Sequence, residues 1–287
     1  MSRLSTVARL YVYDMRCGVP SVAPRLAIAA LLAALCSLVF YLCASAAPSQ
    51  DCDLNFAAYI ASVFGGSSEF VPERGESFTL PAAWLCNCLA ITFVTLDYPS
   101  RNLRSVGTMA LVLSGNRWSW WISKCLWVGT CCLLGYAASL SGCLLCALGA
   151  GASSGLELSK ELAELLGFFI ATDAPLAQGT ADIGVFLACA PVILIAISLF
   201  QLALSVHVAP YIGLVASICV FFASSFWLND LLLGNYLMVA RSSLAIANGV
   251  PSVWGAAIAG LFALLATVIG GLLFNRRSIL TRERDAS

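Results

Sequence analysis

Six apolar stretches recur along the chain, at about 26–47, 80–96, 125–149, 183–206, 211–228 and 254–274, and none contains Asp, Glu, Lys or Arg. A hydrocarbon core of about 30 Å is crossed by roughly 20 helical residues, within a range of about 17–25. All six stretches fall in that range, the second and fifth at its lower edge. Lipid offers the backbone no hydrogen-bond partners, so apolar stretches of this length must close their bonds internally as helices. The pattern therefore predicts an all-α, polytopic membrane protein, one domain over residues 1–287, with six transmembrane helices.

The intervening segments carry their own periodicities. Residues 3–16 place Leu4, Val7, Tyr11 and Met15 near one helical face, which predicts a short interfacial helix ended by Gly18 and Pro20. Segment 48–79, with Gly65-Gly66-Ser67-Ser68, reads as a partly irregular external loop. In 156–170, Leu158, Leu162, Leu165 and Phe169 fall opposite Glu157, Lys160, Glu161 and Glu164, the spacing of an external amphipathic helix. Segment 229–253 is apolar but interrupted by Asp230, Asn235, Arg241 and Asn248, and predicts short re-entrant helices between the fifth and sixth spans.

Composition agrees with a membrane protein: 60% of the residues are hydrophobic and only 10% charged, against about 25% charged in soluble domains. With zero net charge nothing points to nucleic acid. The distribution of charge is informative. Twelve of the fifteen basic residues lie in the N-terminal segment, the 97–124 link and the tail, whereas eleven of the fifteen acids lie in the other three links. Basic residues of short links stay on the cytoplasmic side, so both termini are expected in the cytoplasm of a cell-membrane protein. The thirteen cysteines fall mostly within spans and read as packing residues, with Cys52 alone clearly on the external side. Ser153, Ser154 and His207 do not form a nucleophile–base set, because they are expected at opposite faces of the bilayer.

The link 97–124, DYPSRNLRSVGTMALVLSGNRWSWWISK, concentrates unusual chemistry. Trp118, Trp120 and Trp121 next to Arg117 and Lys124 predict an anchor at headgroup depth, as does Trp254 at the start of the last span. Before them, Leu103, Val106, Ala110 and Leu113 recur at helical spacing behind Arg101 and Arg104, which predicts a helix along the cytoplasmic surface.

A cytoplasmic start and six spans, an acidic residue (Asp97) closing the second span, a surface helix, a Ser-x-x-Arg turn (Ser114, Arg117) and an aromatic third helix containing Lys124 together resemble permease subunits of type-2 ATP-binding-cassette transporters. The basic ending FNRRSIL and the Tyr236, Met238, Arg241 run resemble that family as well. Asp97 stands where Glu is usual, and Ser278 where Asp is common. The resemblance implies a half-transporter that pairs with a second permease, as a homodimer or heterodimer, and with a separate ATP-binding subunit. Asp97, Arg101, Arg104, Val106, Ser114, Arg117 and Lys124 would form its coupling surface for that subunit. ATP would be bound by the partner, and no cofactor or metal by this chain, which lacks a G-x-x-x-x-G-K-[ST] loop. The alternatives are an ion-coupled secondary transporter, disfavoured by spans without ionisable groups, and a non-transporting scaffold or sensor.

Overall fold

A computed structural model describes residues 3–46, 54–70, 78–104, 107, 111, 116–159, 162, 166, 180–243 and 249–276. The helices are α1 (Arg3–Ala46), α2 (Phe56–Phe64), α3 (Ala82–Phe93), α4 (Tyr98–Leu103), α5 (Arg117–Gly149), α6 (Gly184–His207), α7 (Pro210–Phe226) and α8 (Ser252–Arg276). Strands β1 (Glu157–Ser159) and β2 (Thr180–Asp182) pair antiparallel, and 3-10 turns occupy Leu233–Leu237 and Val239–Arg241. Among the described residues, α1, α5, α6 and α8 are long and apolar enough to cross a membrane. The chain is thus all-α with several membrane-spanning candidates. Of the expected second and fifth spans, α3 is helical over 12 residues and α7 over 17, about 18 and 26 Å at 1.5 Å per residue.

The pairing of α1 with α5 dominates the bundle. Small residues permit it: a Cβ on Gly142 would run into the Ala30 carbonyl and the Ala34 amide, and a Cβ on Gly18 into the rings of Trp127 and Tyr98. The Cys146 thiol donates to the Ala34 carbonyl at 3.2 Å. Close backbone approach over small residues compensates for the absence of a hydrophobic drive between helices in lipid. Contacts of Asp14 with Lys124, Gly18 with Trp127, and Ala30 with Gly142 advance together along both helices, so the two run parallel.

The remaining helices alternate in direction. The starts of α1 and α5 meet the ends of α3, α6 and α8: Tyr98 bonds to Asp14, Ser100 to the Ser205 carbonyl, and Arg117 to the Asn275 carbonyl. At the opposite end, Trp84 at the start of α3 donates to the Leu237 carbonyl, and Tyr236 packs on Gly255 at the start of α8. The first of these ends carries Arg9, Arg16, Arg25, Arg101, Arg104, Arg117 and Arg276 and is called the basic end below.

Three expectations are corrected. The interfacial helix 3–16 is the beginning of one 44-residue helix that continues through Gly18, Pro20 and Pro24. Proline in an interior removes a hydrogen bond, and the helix continues past Pro20 and Pro24 without those two bonds. At about 66 Å, α1 is about twice as long as a bilayer core is thick. Segment 48–79 contains a helix: Asn55 caps α2 by accepting from the Ala58 amide at 3.1 Å, and Ala57 through Phe64 are all buried. The amphipathic helix expected over 156–170 starts later than its spacing suggested: residues 157–159 form β1, whereas Leu162 and Leu166 beyond it are helical and buried. Most of its polar face, including Lys160, Glu161 and Glu164, lies outside the described residues.

Where short re-entrant helices were expected, the chain forms the two 3-10 turns, whose residues are buried. They are pinned by Arg241, itself 0% exposed. Its guanidinium donates to the carbonyls of Ser67 (2.8 Å), Ser68 (3.1 Å), Ser224, Ser225 (2.7 Å) and Trp227 (3.2 Å), and to Asn235 Oδ1 (2.6 Å). Three of these carbonyls are the last acceptors of α7, which a helix end leaves unpaired. Burial lowers the Arg241 pKa to about 10, against an opposing contribution from Glu69, so the group stays charged at neutral pH.

Candidate functional site

The basic end gathers most of the residues singled out in the 97–124 link, though not in the roles their spacing suggested. After α3, residues 94–97 form a turn and α4 opens with Pro99 in its first turn, where a missing N–H costs nothing. Tyr98, Pro99, Ser100 and Asn102 are buried, while Arg101 and Arg104 are exposed. The helix is therefore seated against the bundle and turns an arginine-bearing face outward. Gly107 and Leu111 are also helical and buried. Val106 and Ser114, both expected on the coupling surface, lie outside the described residues.

Two ion pairs hold this turn. Asp97, half-buried, pairs with Arg25 of α1, and the Arg25 guanidinium also lies 4.6 Å from the centre of the Phe93 ring. More completely buried, Lys124 of α5 pairs with Asp14 of α1, with side chains 2% and 1% exposed. The Asp14 carboxylate accepts from three groups on two elements: Lys124 and the Ser123 hydroxyl (2.5 Å) on α5, and the Tyr98 hydroxyl (3.0 Å) at the first residue of α4. The Lys124 ammonium also lies 5.1 Å from the ring centres of both Tyr98 and Trp120. A charge taken out of water this completely is held only by a counter-charge and further hydrogen bonds, and the cluster supplies both. Lys124 is thus corrected from a surface coupling residue to an interior one.

Trp120 and Trp121 are corrected likewise. They are 1% and 0% exposed, packed inside the bundle rather than facing lipid headgroups. Both stack on Phe274 of α8, at 4.8 and 5.9 Å between ring centres, and the Trp121 indole donates to the Thr267 carbonyl at 2.8 Å. Gly270 and Gly271 make room: a Cβ on either would strike the ring of Trp121 or Trp118. Trp118 is half-buried, and Arg117 donates to the Asn275 carbonyl at 2.9 Å. So the aromatic cluster locks the start of α5 to the end of α8, with His207 of α6 edge-on to Trp121 at 5.9 Å. Only Trp254, 57% exposed at the other end of α8, keeps the exposure an interfacial anchor needs.

A neutral polar thread climbs from this end into the bundle. Gln201 donates to the Thr92 carbonyl (3.0 Å) and accepts from Ser217 (2.8 Å), and higher up Ser139 donates to Asn87 Oδ1. Asn87 thus bonds a neighbouring helix, a common use of an amide within an apolar span. Ser153 forms a bridge with Asn55 at the end opposite His207, so the two cannot act together. Among the described residues no three His, Cys, Asp or Glu gather closely enough to hold a metal ion.

No family model, curated protein or solved structure matches the chain. The functional reading therefore rests on sequence and geometry.

Sequence reasoning missed Asp14. It left the residue among ordinary polar positions of a short surface helix, and no spacing rule links it to Lys124, 110 positions later. The available signal was that a lone acid stood among Arg3, Arg9, Arg16 and Arg25 on the side where acids are scarce.

Proposed function

We propose that the chain is the membrane-spanning permease subunit of an ATP-driven exporter of the type-2 ATP-binding-cassette kind, paired with a second permease and driven by a separate ATP-binding subunit. In this reading α3 and α7 complete six crossings, lengthened by the non-helical residues at their ends. The basic end faces the cytoplasm, and the α4 turn is the coupling surface. The observation that carries the reading is this turn: Arg101 and Arg104 face outward from a helix whose other face is tied by Asp97 and Tyr98 to α1. Such a seat transmits a push from outside the membrane to the longest helix of the bundle. The six helices alternate end to end, which an even number of crossings with both termini on one side requires. Export is the direction by analogy with the family alone.

The test is purification from native membranes. A nucleotide-hydrolysing cassette subunit is expected to co-purify, and its hydrolysis to be stimulated by the permease. Replacing Arg104 by Glu and Val106 by Asp is expected to remove the stimulation while leaving insertion intact. Unchanged co-purification and turnover in that variant would count against the coupling role.

The Asp14–Lys124 pair favours one second reading, an ion-coupled carrier, since buried ionisable pairs serve as proton relays in such proteins. Its place at the basic end, rather than midway along the helices, weighs against that use. Transport by the purified chain in liposomes under a proton gradient, without nucleotide, would establish the carrier instead.

A further inference from the structure

Three elements that share no sequence neighbourhood meet at one carboxylate. Asp14 belongs to α1, Ser123 and Lys124 to α5, and Tyr98 is the first residue of α4. The carboxylate of α1 accepts from one group on α4 and two on α5, and the ammonium lies against Asp14 and the rings of Tyr98 and Trp120. A pair this buried is poor evidence for stability, because an apolar replacement of equal volume often does as well; its attested use is to fix register. Asp97–Arg25 lies nearer the surface, and Ser100 bonds α6 rather than α1 or α5.

We propose that Asp14 is the positioning residue of the basic end: its carboxylate joins α4 to the α1–α5 pair, so that the arginine-bearing turn and the two longest helices move as one body. The joint deepens the coupling role given above to α4 and rests on it for its functional meaning, but its mechanical content stands alone. Lys124 neutralises the carboxylate and holds it on the α4 side of α1. Tyr98 carries the connection: its hydroxyl donates to Asp14 Oδ1 at 3.0 Å and its ring lies 5.1 Å from the ammonium. Displacing α4 would pull Tyr98 off the carboxylate, or carry α1 with it, and the second course keeps a buried charge bonded.

Hydrogen exchange on the full chain in lipid nanodiscs separates this joint from general support of the fold. The reporters are amides within 98–104, among them Arg101 bonded to the Asp97 carbonyl and Arg104 to the Arg101 carbonyl. Tyr98→Phe is expected to speed their exchange at least about tenfold, the factor matching a lost hydrogen bond to a charged group, with α6 and α8 unchanged. In a background carrying Asp14→Ala and Lys124→Met, the same Tyr98→Phe change should add less than about twofold. Exchange within about twofold of wild type in Tyr98→Phe, a rise shared equally by α6 and α8, or a full additional effect in the charge-free background would each overturn the joint. Should that background not fold, Tyr98→Phe alone decides. A companion ATPase adds a second arm: the Asp14→Ala, Lys124→Met protein, which leaves no buried charge unpaired, should bind it as wild type does but lose stimulation, and retained stimulation counts against the joint. If no ATPase associates at all, the coupling reading fails while the exchange cycle still judges the joint.

Discussion

Arg241→Met is expected to lower the melting temperature of the purified protein by about 10 °C or more. The substitution leaves the carbonyls of Ser67, Ser68, Ser224, Ser225 and Trp227, and Asn235 Oδ1, without their common donor. An unsatisfied buried acceptor costs about 1–3 kcal/mol. Even if the segment loosens enough to hydrate most of the six, a loss of about 3–5 kcal/mol remains. For a chain of this size each kcal/mol moves the midpoint by about 2–4 °C. Arg241→Lys should recover part of the loss and not all, because an ammonium offers three donors where the guanidinium offers five in a planar fork. Differential scanning fluorimetry of the three proteins in one detergent measures this. Equal midpoints for Arg, Lys and Met would show that Arg241 does not hold the 3-10 turns to α7 and to residues 67–68.

Lys124→Met should be nearly as damaging, for a different reason. It leaves the Asp14 carboxylate 1% exposed with only two hydroxyl donors, and removing one partner of a buried pair costs about 3–5 kcal/mol. The double variant Asp14→Asn, Lys124→Met removes the uncompensated charge and keeps the volume. It is therefore expected to recover more than half of the loss, so that the two substitutions are strongly non-additive. Chemical or thermal unfolding of the two single variants and the double variant measures the coupling. Simple addition of the two single effects would mean that the carboxylate and ammonium do not depend on one another.

These two residues also mark where the sequence stopped being legible. The long helices α5, α6 and α8 could be read because an apolar run of that length admits one backbone solution. The charge asymmetry between the links corresponds to the two ends of the bundle, with Arg9, Arg16, Arg25, Arg101, Arg104, Arg117 and Arg276 all at one of them. Short elements were hidden. In α2 nine residues, FAAYIASVF, fall below any spanning length, and the helix is buried only because α1, α3 and α5 surround it. The α1 helix passes through Gly18, Pro20 and Pro24, a trio that locally reads as a stop, because packing of Gly18 on Trp127 and Tyr98 outweighs the local preference.

The candidate site was legible in place but not in detail. Trp118, Trp120 and Trp121 next to Lys124 signalled that the start of α5 was special. Their amphipathic chemistry fits headgroups and an aromatic core equally well, and the Gly270-Gly271 notch that decides between these lies about 150 residues away. Asp97 was rightly placed at the end of the second apolar stretch, but its partner Arg25 is on α1. Pairings across such separations are set by helix packing, which periodicity along one segment does not contain.

The arrangement of ends is the claim on which the rest depends, and reporter fusions test it most directly. Reporters active only in the cytoplasm, fused after Gly107 and after Ser287, should both be active, whereas reporters after Ser153 and after Asn229 should be active only in the external compartment. Activity of the Gly107 and Ser287 fusions on opposite sides, or of Gly107 and Ser153 on the same side, would contradict a six-helix alternation with its basic end inside the cell.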